Sequence, residues 1–379
     1  MFRTLLARLA LGLHAGFFGL LAVNLLYVWR TRRDRRTPDG WPRVSVLVPA
    51  RNEEANLRRL LPSLAEQDYP RFEVVVMDDG SEDGTWGVIQ QHAGARVRGL
   101  RGTGPPPGWV GKVHALYAAT RHARGDVYLF LDADARLKDP QALRRLVERW
   151  AAAEARSGGR GAVLSGLTHL RGGGRLLTSL IPFAFLTALP LPLVPRSRTP
   201  SLSAMNGQCW MISATAYHRE EPHAALPDEV LEDVQIGRYL KRRGLRLTLR
   251  DLQGEVEVWM YGGLRAAWRG FRKNMYLMQG GTLLRFLVLH GLYLGAYVLP
   301  PLVSPWALVR LWALKAASDT ASRFPLRTRL LAPLSLLLGG LLPLDSAVAH
   351  HRGRVEWKGR AVARVRGPAR TEVPAPFVN

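Results

Sequence analysis

The sequence predicts an α/β fold in which helices cover both faces of a mostly parallel sheet. Three near-continuous apolar runs, at Val44–Val48, Val74–Met77 and Val127–Leu131, have the composition of strands that are buried on both faces. The segments between these runs carry the spacing of amphipathic helices, and strand–helix–strand repetition of this kind builds a doubly wound sheet. Because ligands of such sheets bind at the carboxyl ends of the strands, we expect the chemistry of the protein there.

Predicted strands and helices alternate from Trp41 to about Gly166. Helices are predicted over Glu53–Gln67, Gly84–Ala93 and Gly111–Ala123, and all three fall between consecutive strands. Parallel strands need crossover connections of a dozen or more residues, and helices of this length provide them. The order of elements therefore supports the same fold class.

The composition of the 379-residue chain narrows the class of protein. Hydrophobic residues make up 47% and charged residues 22%, which excludes a disordered polyelectrolyte and a bundle built entirely of membrane helices. The 53 Lys and Arg exceed the 30 Asp and Glu, and the net charge of +23 would suit either nucleic acid or an anionic membrane surface as a partner. Cys209 is the only cysteine, so intrachain disulfides and cysteine zinc sites are excluded, and it is expected to pack as a small apolar residue.

The N-terminal region predicts an uncleaved membrane anchor. Leu9–Trp29 contains 21 residues without a formal charge, close to the ~20 that cross a bilayer and longer than the apolar core of a signal peptide. Five arginines follow it between Arg30 and Arg36, whereas only Arg3 and Arg8 precede it. The positive-inside rule then places the chain after this segment in the cytoplasm.

Three later apolar segments leave the membrane topology open. Leu176–Val194 contains three prolines, so it fits a segment that lies in or re-enters the interface better than a straight span. Phe286–Val309 could form one span or two, and Leu330–Leu344 could be re-entrant. A basic aromatic segment, Trp268–Tyr276, is predicted to anchor the chain at the interface.

Two adjacent carboxylates end the second predicted strand. Asp78 and Asp79 are followed by Gly80, Ser81 and Gly84, which together form a sharp polar turn at the ligand-binding edge. A carboxylate there could accept hydrogen bonds from a base N–H or from ribose hydroxyls. An acidic turn that caps the next helix is an equally good interpretation of this motif alone.

A second pair of carboxylates ends the third predicted strand. Asp132 and Asp134 alternate along an extended segment, so both can serve one site and suit Mg²⁺ or Mn²⁺ held together with substrate phosphates. Lys112 lies at a predicted helix start, where an anion would be bound. A solvated turn and an ordinary exposed lysine are the alternatives.

Glu232 and Asp233 lie near the start of another amphipathic helix. Acidic residues in a first helical turn usually complement the helix dipole, and that interpretation is open for both. However, a site for a metal and a nucleotide would also require a base, and the sequence contains no recognisable Ser-His-Asp spacing.

Together these motifs resemble the inverting glycosyltransferases of family 2, which have the GT-A fold. Between about Val44 and Gly244 the chain contains, in the order of that family, VSVLVPARNEEANL, VVVMDDGSEDGT, LFLDADA and LEDVQIGRYLKRRG. It is also similar to the membrane-bound subgroup of carotenoid- and hopanoid-associated glycosyltransferases in GWVGK, in MNGQCWMIS and in VEWKGR at Val355–Arg360. The Q-x-x-R-W motif of processive polysaccharide synthases is absent, which favours transfer of one or a few sugars.

The resemblance implies a role for each residue that matches a family motif. Asp79 would hold the base with Asp78 nearby, and Lys112 would face the diphosphate. The full set of implied nucleotide-sugar-binding residues is Pro49, Arg51, Glu53, Asp78, Asp79, Lys112 and Asp132.

The resemblance also implies the residues that act on the bond. Asp134 would bind Mg²⁺ or Mn²⁺ directly, with Asp132 as the other member of the metal-binding pair. Asp233 would be the general base, with Glu232 beside it.

By this resemblance, residues 41–281 would form a GT-A (Rossmann-like) glycosyltransferase domain with an interfacial segment near 176–195. Residues 1–40 would be the anchor and its basic flank, and residues 282–379 a C-terminal membrane region with a basic cytoplasmic tail. We therefore expect an integral protein of the cell membrane whose catalytic domain faces the cytoplasm.

The expected reaction moves a hexose, with glucose from UDP-glucose as the first choice, to a hydroxyl of a lipid in the bilayer. A hydroxylated carotenoid is the first choice of acceptor, and a hopanoid, sterol or glycerolipid is the alternative. A different class would be a non-catalytic protein of the membrane surface, or a nucleic-acid-binding protein, with a degenerate GT-A domain. The intact carboxylates count against that class, and no nucleic-acid partner is expected.

Overall fold

The computed structural model describes residues 2–357 and 360–361 and confirms the predicted α/β class. The three predicted strands correspond to β1, β2 and β4. In chain order the strands are β1 (Val44–Ala50), β2 (Phe72–Asp78), β3 (Val97–Arg101), β4 (Val127–Leu131), β5 (Ala135–Leu137), β6 (Ala162–Leu167), β7 (His169–Gly172), β8 (Cys209–Ser213), β9 (Arg246–Asp251), β10 (Val256–Tyr261), β11 (Glu356–Trp357) and β12 (Arg360–Ala361).

The three predicted helices correspond to α2, α3 and α4. In chain order the helices are α1 (Phe2–Thr31), α2 (Glu54–Ala65), α3 (Thr85–His92), α4 (Gly111–His122), α5 (Ala142–Ala155), α6 (Arg175–Thr178), α7 (Leu180–Ala188), α8 (Ala214–Glu220), α9 (Pro222–Ala225), α10 (Glu232–Arg242), α11 (Leu264–Arg272), α12 (Met275–Met278), α13 (Leu283–Tyr293), α14 (Pro300–Val303), α15 (Pro305–Ala321), α16 (Leu326–Leu330) and α17 (Ala332–His351).

A seven-stranded sheet with the order β3-β2-β1-β4-β8-β6-β9 forms the centre of the protein. β3, β2, β1 and β4 run parallel, β8 is antiparallel to both of its neighbours, and β6 and β9 are again parallel. The sheet is therefore mostly parallel, as predicted. Because the β1–β2 register pairs Ala50 with Asp78, these two strands end side by side at the edge where ligands bind.

Alternate side chains of the central strands build hydrophobic cores on both faces of the sheet. Val44, Val46 and Val48 of β1 pack with residues of α2, α3 and α5. Leu47 of the same strand and Val75 of β2 belong to a second core that includes residues of α4 and α10. Successive side chains of a strand point to opposite faces, so one apolar run supplies both cores. The prediction of helices on both faces is confirmed.

A three-stranded sheet with the order β5-β10-β7 lies beyond the end of β4. β5 begins directly after Asp134, and the Trp259 N–H of β10 donates to the Asp134 carbonyl oxygen at 2.9 Å. This small sheet therefore fixes the backbone that carries the second carboxylate of the D-x-D motif.

Within the described part of the chain, two helices are long and apolar enough to cross a membrane, judged by length and composition. They are Arg8–Thr31, which contains the predicted anchor, and Ala332–His351, which is α17. In Leu330–Leu344, where the sequence left a re-entrant segment open, α17 begins at Ala332 and continues unbroken to His351. Large apolar side chains are 62% to 78% exposed on the outer helices, which supports association with a membrane: Leu9, Leu284, Leu292, Leu302 and Trp306.

Neither of the other two apolar segments is one continuous helix, which was predicted for Leu176–Val194 and left open for Phe286–Val309. In Leu176–Val194, α6 and α7 are separate, and α7 ends before Pro190. Pro182 is accommodated because it lies in the first turn of α7, where its missing N–H has no partner to lose. Phe286–Val309 is likewise broken, and α15 begins at Pro305 after an extended Ser304.

The basic flank of α1 is ion-paired to the sheet. Arg32 Nε lies 3.1 Å from Asp251 Oδ2, and Arg250 Nη2 lies 2.8 Å from Asp34 Oδ2. Arg35 Nη2 lies 3.3 Å from the buried Glu255. Part of the positive charge beside the apolar segment is therefore balanced within the protein.

α1 packs on α7, α15 and β9 and does not stand apart from the domain. The division of the chain at residues 40 and 281 stays a prediction. The basic tail beyond Ala361 and the Lys358–Gly359 part of VEWKGR lie outside the described residues.

A buried ion pair joins the apolar helices. In α15, Lys315 Nζ lies 2.5 Å from Asp319 Oδ1 and donates to Ser179 Oγ at 2.8 Å. Lys315, Asp319 and Ser179 are all fully buried. The ammonium therefore holds the start of α7, which follows Ser179, against α15.

Replacing one partner of this pair should destabilise the fold. We expect Lys315→Met to lower the free energy of unfolding by about 3–5 kcal/mol, because it leaves the Asp319 carboxylate buried without its cation. Denaturant unfolding of the detergent-solubilised protein measures this loss. The double variant Lys315→Met/Asp319→Leu is the control, and it should recover most of the stability. Equal losses in the single and double variants would contradict the assignment.

Candidate active site

A cavity of about 560 Å³ opens at the carboxyl ends of β1, β2 and β4. A volume of this size suits a small organic ligand. The structure brings together most of the residues singled out from the sequence, and those that line the cavity are Pro49, Arg51, Glu53, Asp79, Lys112, Asp132, Asp134, Glu232 and Asp233.

Lys112 bridges two carboxylates from different parts of the chain. It is the second residue of α4, and its Nζ lies 2.7 Å from Asp132 Oδ1 and 2.8 Å from Glu232 Oε1. Asp132 directly follows β4, whereas Glu232 is the first residue of α10. One ammonium therefore joins three elements at the floor of the cavity.

The two carboxylates that Lys112 bridges have pKa values shifted in opposite directions. Burial raises the pKa of Asp132, and the attraction of Lys112 offsets this rise only in part. Burial also opposes ionisation of Glu232, but there the ammonium outweighs it and the pKa is lowered. The two carboxylates in turn hold the pKa of Lys112 well above its usual value despite burial. When ionised, the three groups carry one net negative charge.

Asp233 is oriented by two backbone amides. Its Oδ2 accepts the Gly207 N–H at 3.0 Å, and its Oδ1 accepts the Val234 N–H at 2.8 Å. A side chain at position 207 would place its Cβ 3.1 Å from the Asp233 Cβ, so glycine permits the close approach. Burial, and next the negative charge of Glu232, raise the pKa of Asp233 to about 6.

Arg51 builds the wall on the β1–β2 side. Its Nη1 donates to the carbonyl oxygens of Asp79 and Gly80, each at 2.9 Å, and its Nη2 pairs with Glu82 at 3.2 Å. Nearby, Glu53 Oε2 accepts a hydrogen bond from the Asn56 amide at 2.5 Å. These contacts hold the loops after β1 and β2 together around the buried Asp79.

Asp78 does not line the cavity. It is fully buried, and its Oδ1 accepts the Ser81 N–H at 3.0 Å. Asp78, the last residue of β2, therefore stabilises the turn that follows this strand but does not cap α3, while Asp79 faces the cavity.

The carboxylates of Asp132 and Asp134 fit a divalent ion that takes further ligands from substrate. Both line the cavity and offer hard oxygen donors. Among the described residues, no group of three His, Cys, Asp or Glu side chains lies close enough to hold a metal. Mg²⁺ is commonly bound by one or two carboxylates plus substrate phosphates, so this donor set is sufficient for it.

Several residues of the cavity were not singled out as site residues from the sequence. Lys273 and Asn274 belong to the segment predicted as an interfacial anchor, but both line the cavity. Asn206 and Gln208 flank Gly207 opposite Asp233. The sequence did carry a signal for Asn206 and Gln208, because both lie in MNGQCWMIS, which resembles a motif of the membrane-bound subgroup. Lys273 had none beyond its position among aromatic residues.

One side of the cavity is apolar. It is formed by residues of α7, β10, α11 and α12, namely Ile181, Phe185, Met260, Phe271 and Met278. We call this set the apolar wall. It lies where α7 packs against α1 and α15, so the apolar part of the cavity adjoins the apolar helices.

An aromatic cluster supports the site from behind. The rings of Phe130 and Trp210 stack with centroids 3.9 Å apart, and His223 Nδ1 shares a hydrogen bond of 2.8 Å with the Tyr217 hydroxyl. Burial lowers the pKa of His223 to about 3, so it stays neutral. Cys209 is fully buried, as predicted for a small apolar residue.

The chain is similar to glycosyltransferases in sequence and fold. Residues 45–219 match the model of the Glycosyl transferase family 2. A 4,4'-diaponeurosporenoate glycosyltransferase of Staphylococcus haemolyticus is 28% identical over 275 residues, which cover 70% of this chain and 69% of that protein. The protein of the same name from Staphylococcus aureus (strain USA300) is 34% identical over 107 residues, 28% of each chain.

A solved structure shares the fold. The mannosyltransferase PcManGT from Pyrobaculum calidifontis, in complex with GDP-Man and Mn²⁺, aligns with a TM-score of 0.51 and 23% identity over 91% of this chain and 98% of its own. Its likeness confirms the predicted GT-A architecture. The family match over residues 45–219, the relatives and the fold together show that the chain is similar to family 2 glycosyltransferases and resembles their carotenoid-related members.

Proposed function

We propose that the protein transfers a hexose, with glucose from UDP-glucose as the first choice, to a membrane lipid. The first choice of acceptor is a hydroxylated carotenoid, and the catalytic domain would face the cytoplasm. A single observation carries the proposal: one cavity holds both a cluster of carboxylates at the strand ends and the apolar wall. The first suits a nucleotide sugar, and the second suits an apolar acceptor.

The strand-end side of the cavity supports a nucleotide-sugar donor. Asp79 faces the cavity where a base or ribose would bind, and Arg51 and Pro49 complete that wall. Lys112 would face the diphosphate from the start of α4, where helix N–H groups also favour an anion. PcManGT, which shares the fold, was solved with a nucleotide sugar.

The apolar wall supports a lipid acceptor. Phe185 and Ile181 belong to α7, which contacts the apolar helices α1 and α15. Met278 lines the cavity while 54% of it is exposed, five residues before the exposed Leu283 of α13. A lipid could therefore enter from the side of the exposed leucines. The names of the relatives, which specify a polyene acid, also support a carotenoid-type acceptor.

Asp233 is the residue best suited to act as general base. The acceptor oxygen attacks the anomeric carbon as its proton passes to the Asp233 carboxylate and the bond to the diphosphate breaks with its electron pair on the leaving oxygen. A base works best with a pKa near the working pH, and the raised pKa of Asp233 meets this condition better than the lowered one of Glu232. A single base without a covalent nucleophile gives inversion at that carbon.

Asp134, with Asp132, would hold Mg²⁺ or Mn²⁺ beside the diphosphate. When bound, such an ion stabilises the negative charge of the leaving nucleoside diphosphate. Lys112 contributes to the same end by keeping Asp132 in place, because its ammonium is fixed between Asp132 and Glu232.

A carboxylate acceptor is the second candidate, and the relatives' names favour it, since diaponeurosporenoate is the anion of an acid. A carboxylate oxygen is already ionised at neutral pH and attacks without losing a proton. A general base is then unnecessary, so the role of Asp233 distinguishes the two acceptors.

Asp233→Asn should abolish transfer to a hydroxyl. We expect kcat to fall by about 100- to 10,000-fold, because the amide cannot take the proton. In the unsubstituted protein, kcat/KM should decrease as the pH falls through about 6, where Asp233 becomes protonated. Transfer from UDP-glucose to a polyene alcohol at several pH values measures both effects. Full activity of the variant with the alcohol would exclude Asp233 as the base, and full activity with the matching acid alone would favour the carboxylate acceptor.

Asp134→Ala should remove the dependence on a divalent ion. We expect transfer to fall at least about 100-fold, because a bound ion contributes several kcal/mol of transition-state stabilisation. Donor binding should also lose its response to added Mn²⁺, which titration calorimetry detects. Asp39→Ala, at an exposed carboxylate remote from the cavity, is the control and should behave like the parent. A variant that still responds to Mn²⁺ would disprove the metal assignment.

Loss of the gene should change the glycolipids of the source organism. Lipid extracts of a deletion strain are expected to lack a glycosylated carotenoid, because no acceptor would be modified. Chromatography with mass spectrometry checks this, and complementation with the intact gene but not with Asp233→Asn is the matched control. Unchanged pigments together with a missing hopanoid, sterol or glycerolipid glycoside would redirect the proposal to that lipid.

A further inference from the structure

The apolar helix α17 contacts the α/β domain at both of its ends. Just before the helix, Arg329 Nε donates to the carbonyl oxygen of Phe324, which is buried in a core of the central sheet. At the other end, His350 Nε2 donates at 2.8 Å to the carbonyl oxygen of Lys273, a residue that lines the cavity. A helix of 20 residues is about 30 Å long, so a helix that crossed a bilayer would carry one end far from this domain.

The middle of α17 packs on helices that connect directly to the small sheet. Leu342 is buried with Leu177 of α6 and Ala267 of α11. Three residues further along α17, Asp345 Oδ2 accepts the Trp268 indole N–H of α11 at 2.6 Å. α6 begins three residues after β7, and α11 begins three residues after β10. α17 therefore runs along the surface of the α/β domain instead of away from it.

The opposite face of α17 exposes a row of large apolar side chains. Residues three and four apart lie on one face of a helix, and this spacing relates all members of the row. They are 41% to 48% exposed, and we call them the apolar stripe: Leu334, Leu337, Leu341, Leu344 and Val348. On the packed face, Leu336 and Leu342 are buried. A contiguous row of exposed apolar side chains marks a surface that binds a protein or a membrane.

The charges at the ends of α17 favour an anionic membrane over a protein. Arg327 precedes the helix and Arg352 and Arg354 follow it; all three are exposed, and none has an acidic partner in the described part of the chain. An apolar face flanked by cations fits the acyl chains and anionic headgroups of a leaflet. The apolar surface also continues onto α13, which contacts α17 and exposes Leu284 and Leu292. A surface wider than one helix suits a bilayer better than a groove.

We propose that α17 lies in the plane of the membrane interface, with the apolar stripe among the acyl chains of one leaflet, and does not cross the bilayer. The partner of this face is the surface of an anionic lipid bilayer. The basic segments before and after α17 then lie on the same side of the membrane, as the positive-inside rule favours. This position does not depend on which reaction the protein catalyses.

A helix in this position would also bring the cavity to the leaflet. The Tyr276 N–H of α12 donates to Ser346 Oγ of α17 at 2.9 Å. Met278 of the same short helix lines the cavity and is half exposed. Under the proposed function, a lipid acceptor could therefore pass from the leaflet into the cavity without crossing water.

Single-cysteine variants test on which side of the membrane the ends of α17 lie. Cys209, the only native cysteine, is fully buried, so background labelling should be low. Arg327→Cys and Arg352→Cys place exposed thiols before and after the helix, and Arg58→Cys marks an exposed position of the α/β domain as the control. A membrane-impermeant maleimide is added to cells that express the full-length protein, before and after permeabilisation. We expect all three thiols to be labelled from the same side. Labelling of either end from the side opposite to Arg58→Cys would overturn the proposal.

The depth of the apolar stripe distinguishes an in-plane helix from one that enters the bilayer. A bimane label is attached to Leu334→Cys, Leu341→Cys and Val348→Cys in the full-length protein, reconstituted into vesicles of phosphatidylcholine and phosphatidylglycerol. Quenching by lipids brominated at different acyl positions measures the depth of each label. We expect three equal depths, about 5–10 Å below the headgroup boundary. In a helix that crosses or re-enters, Leu341→Cys would lie about 10 Å deeper than the other two, because seven residues rise that far.

Two controls separate position from misfolding. Each replaced side chain is exposed, so the unfolding midpoints of the labelled variants should match that of the parent. Labelled Arg58→Cys should show no quenching, because it lies on the α/β domain. A deeper label at position 341, or no quenching at any of the three stripe positions, would contradict the proposal.

Discussion

The candidate active site depends on one ammonium placed between two carboxylates. Lys112 draws the end of β4 and the start of α10 to the N-terminus of α4, although the three segments are far apart in the sequence. Without that cation, Asp132 and Glu232 would face each other as half-buried like charges, which favours protonation of one of them. The bridge thus keeps the first turn of α10, and with it Asp233, against the cavity.

Neighbouring carboxylates acquire different properties from their surroundings. Glu232 and Asp233 are adjacent, yet one is matched with an ammonium and the other with two backbone amides. The pKa of the first is lowered, whereas the pKa of the second is raised to about 6. Asp78 and Asp79 are separated in the same way, since one completes a turn and the other faces the cavity. The local environment, more than the residue type, therefore decides the role of each of these four acids.

The local pattern of the sequence was sufficient to predict the central strands and the acidic residues that follow them. A strand that is buried on both faces appears in the sequence as a continuous apolar run, and the acids mark where that run ends. It could not predict β3, which is short and only partly buried. Lys273 lines the cavity only because of how the segment between α11 and α12 packs in the tertiary structure. No periodicity of the sequence encodes such a contact. For the same reason, the bridge from Lys112 to Glu232 was not predictable, although each residue had been singled out separately.

The ion pairs between the flank of α1 and the sheet fix the position of the cavity relative to α1. Asp34 and Arg250, like Arg32 and Asp251, tie the first helix to β9 without a flexible tether. If that helix is embedded, the mouth of the cavity stays at one height above the lipid tails. Under the proposed function, the cavity could then not move toward its acceptor, so it would select lipids by how far each one's reactive oxygen stands out of the bilayer.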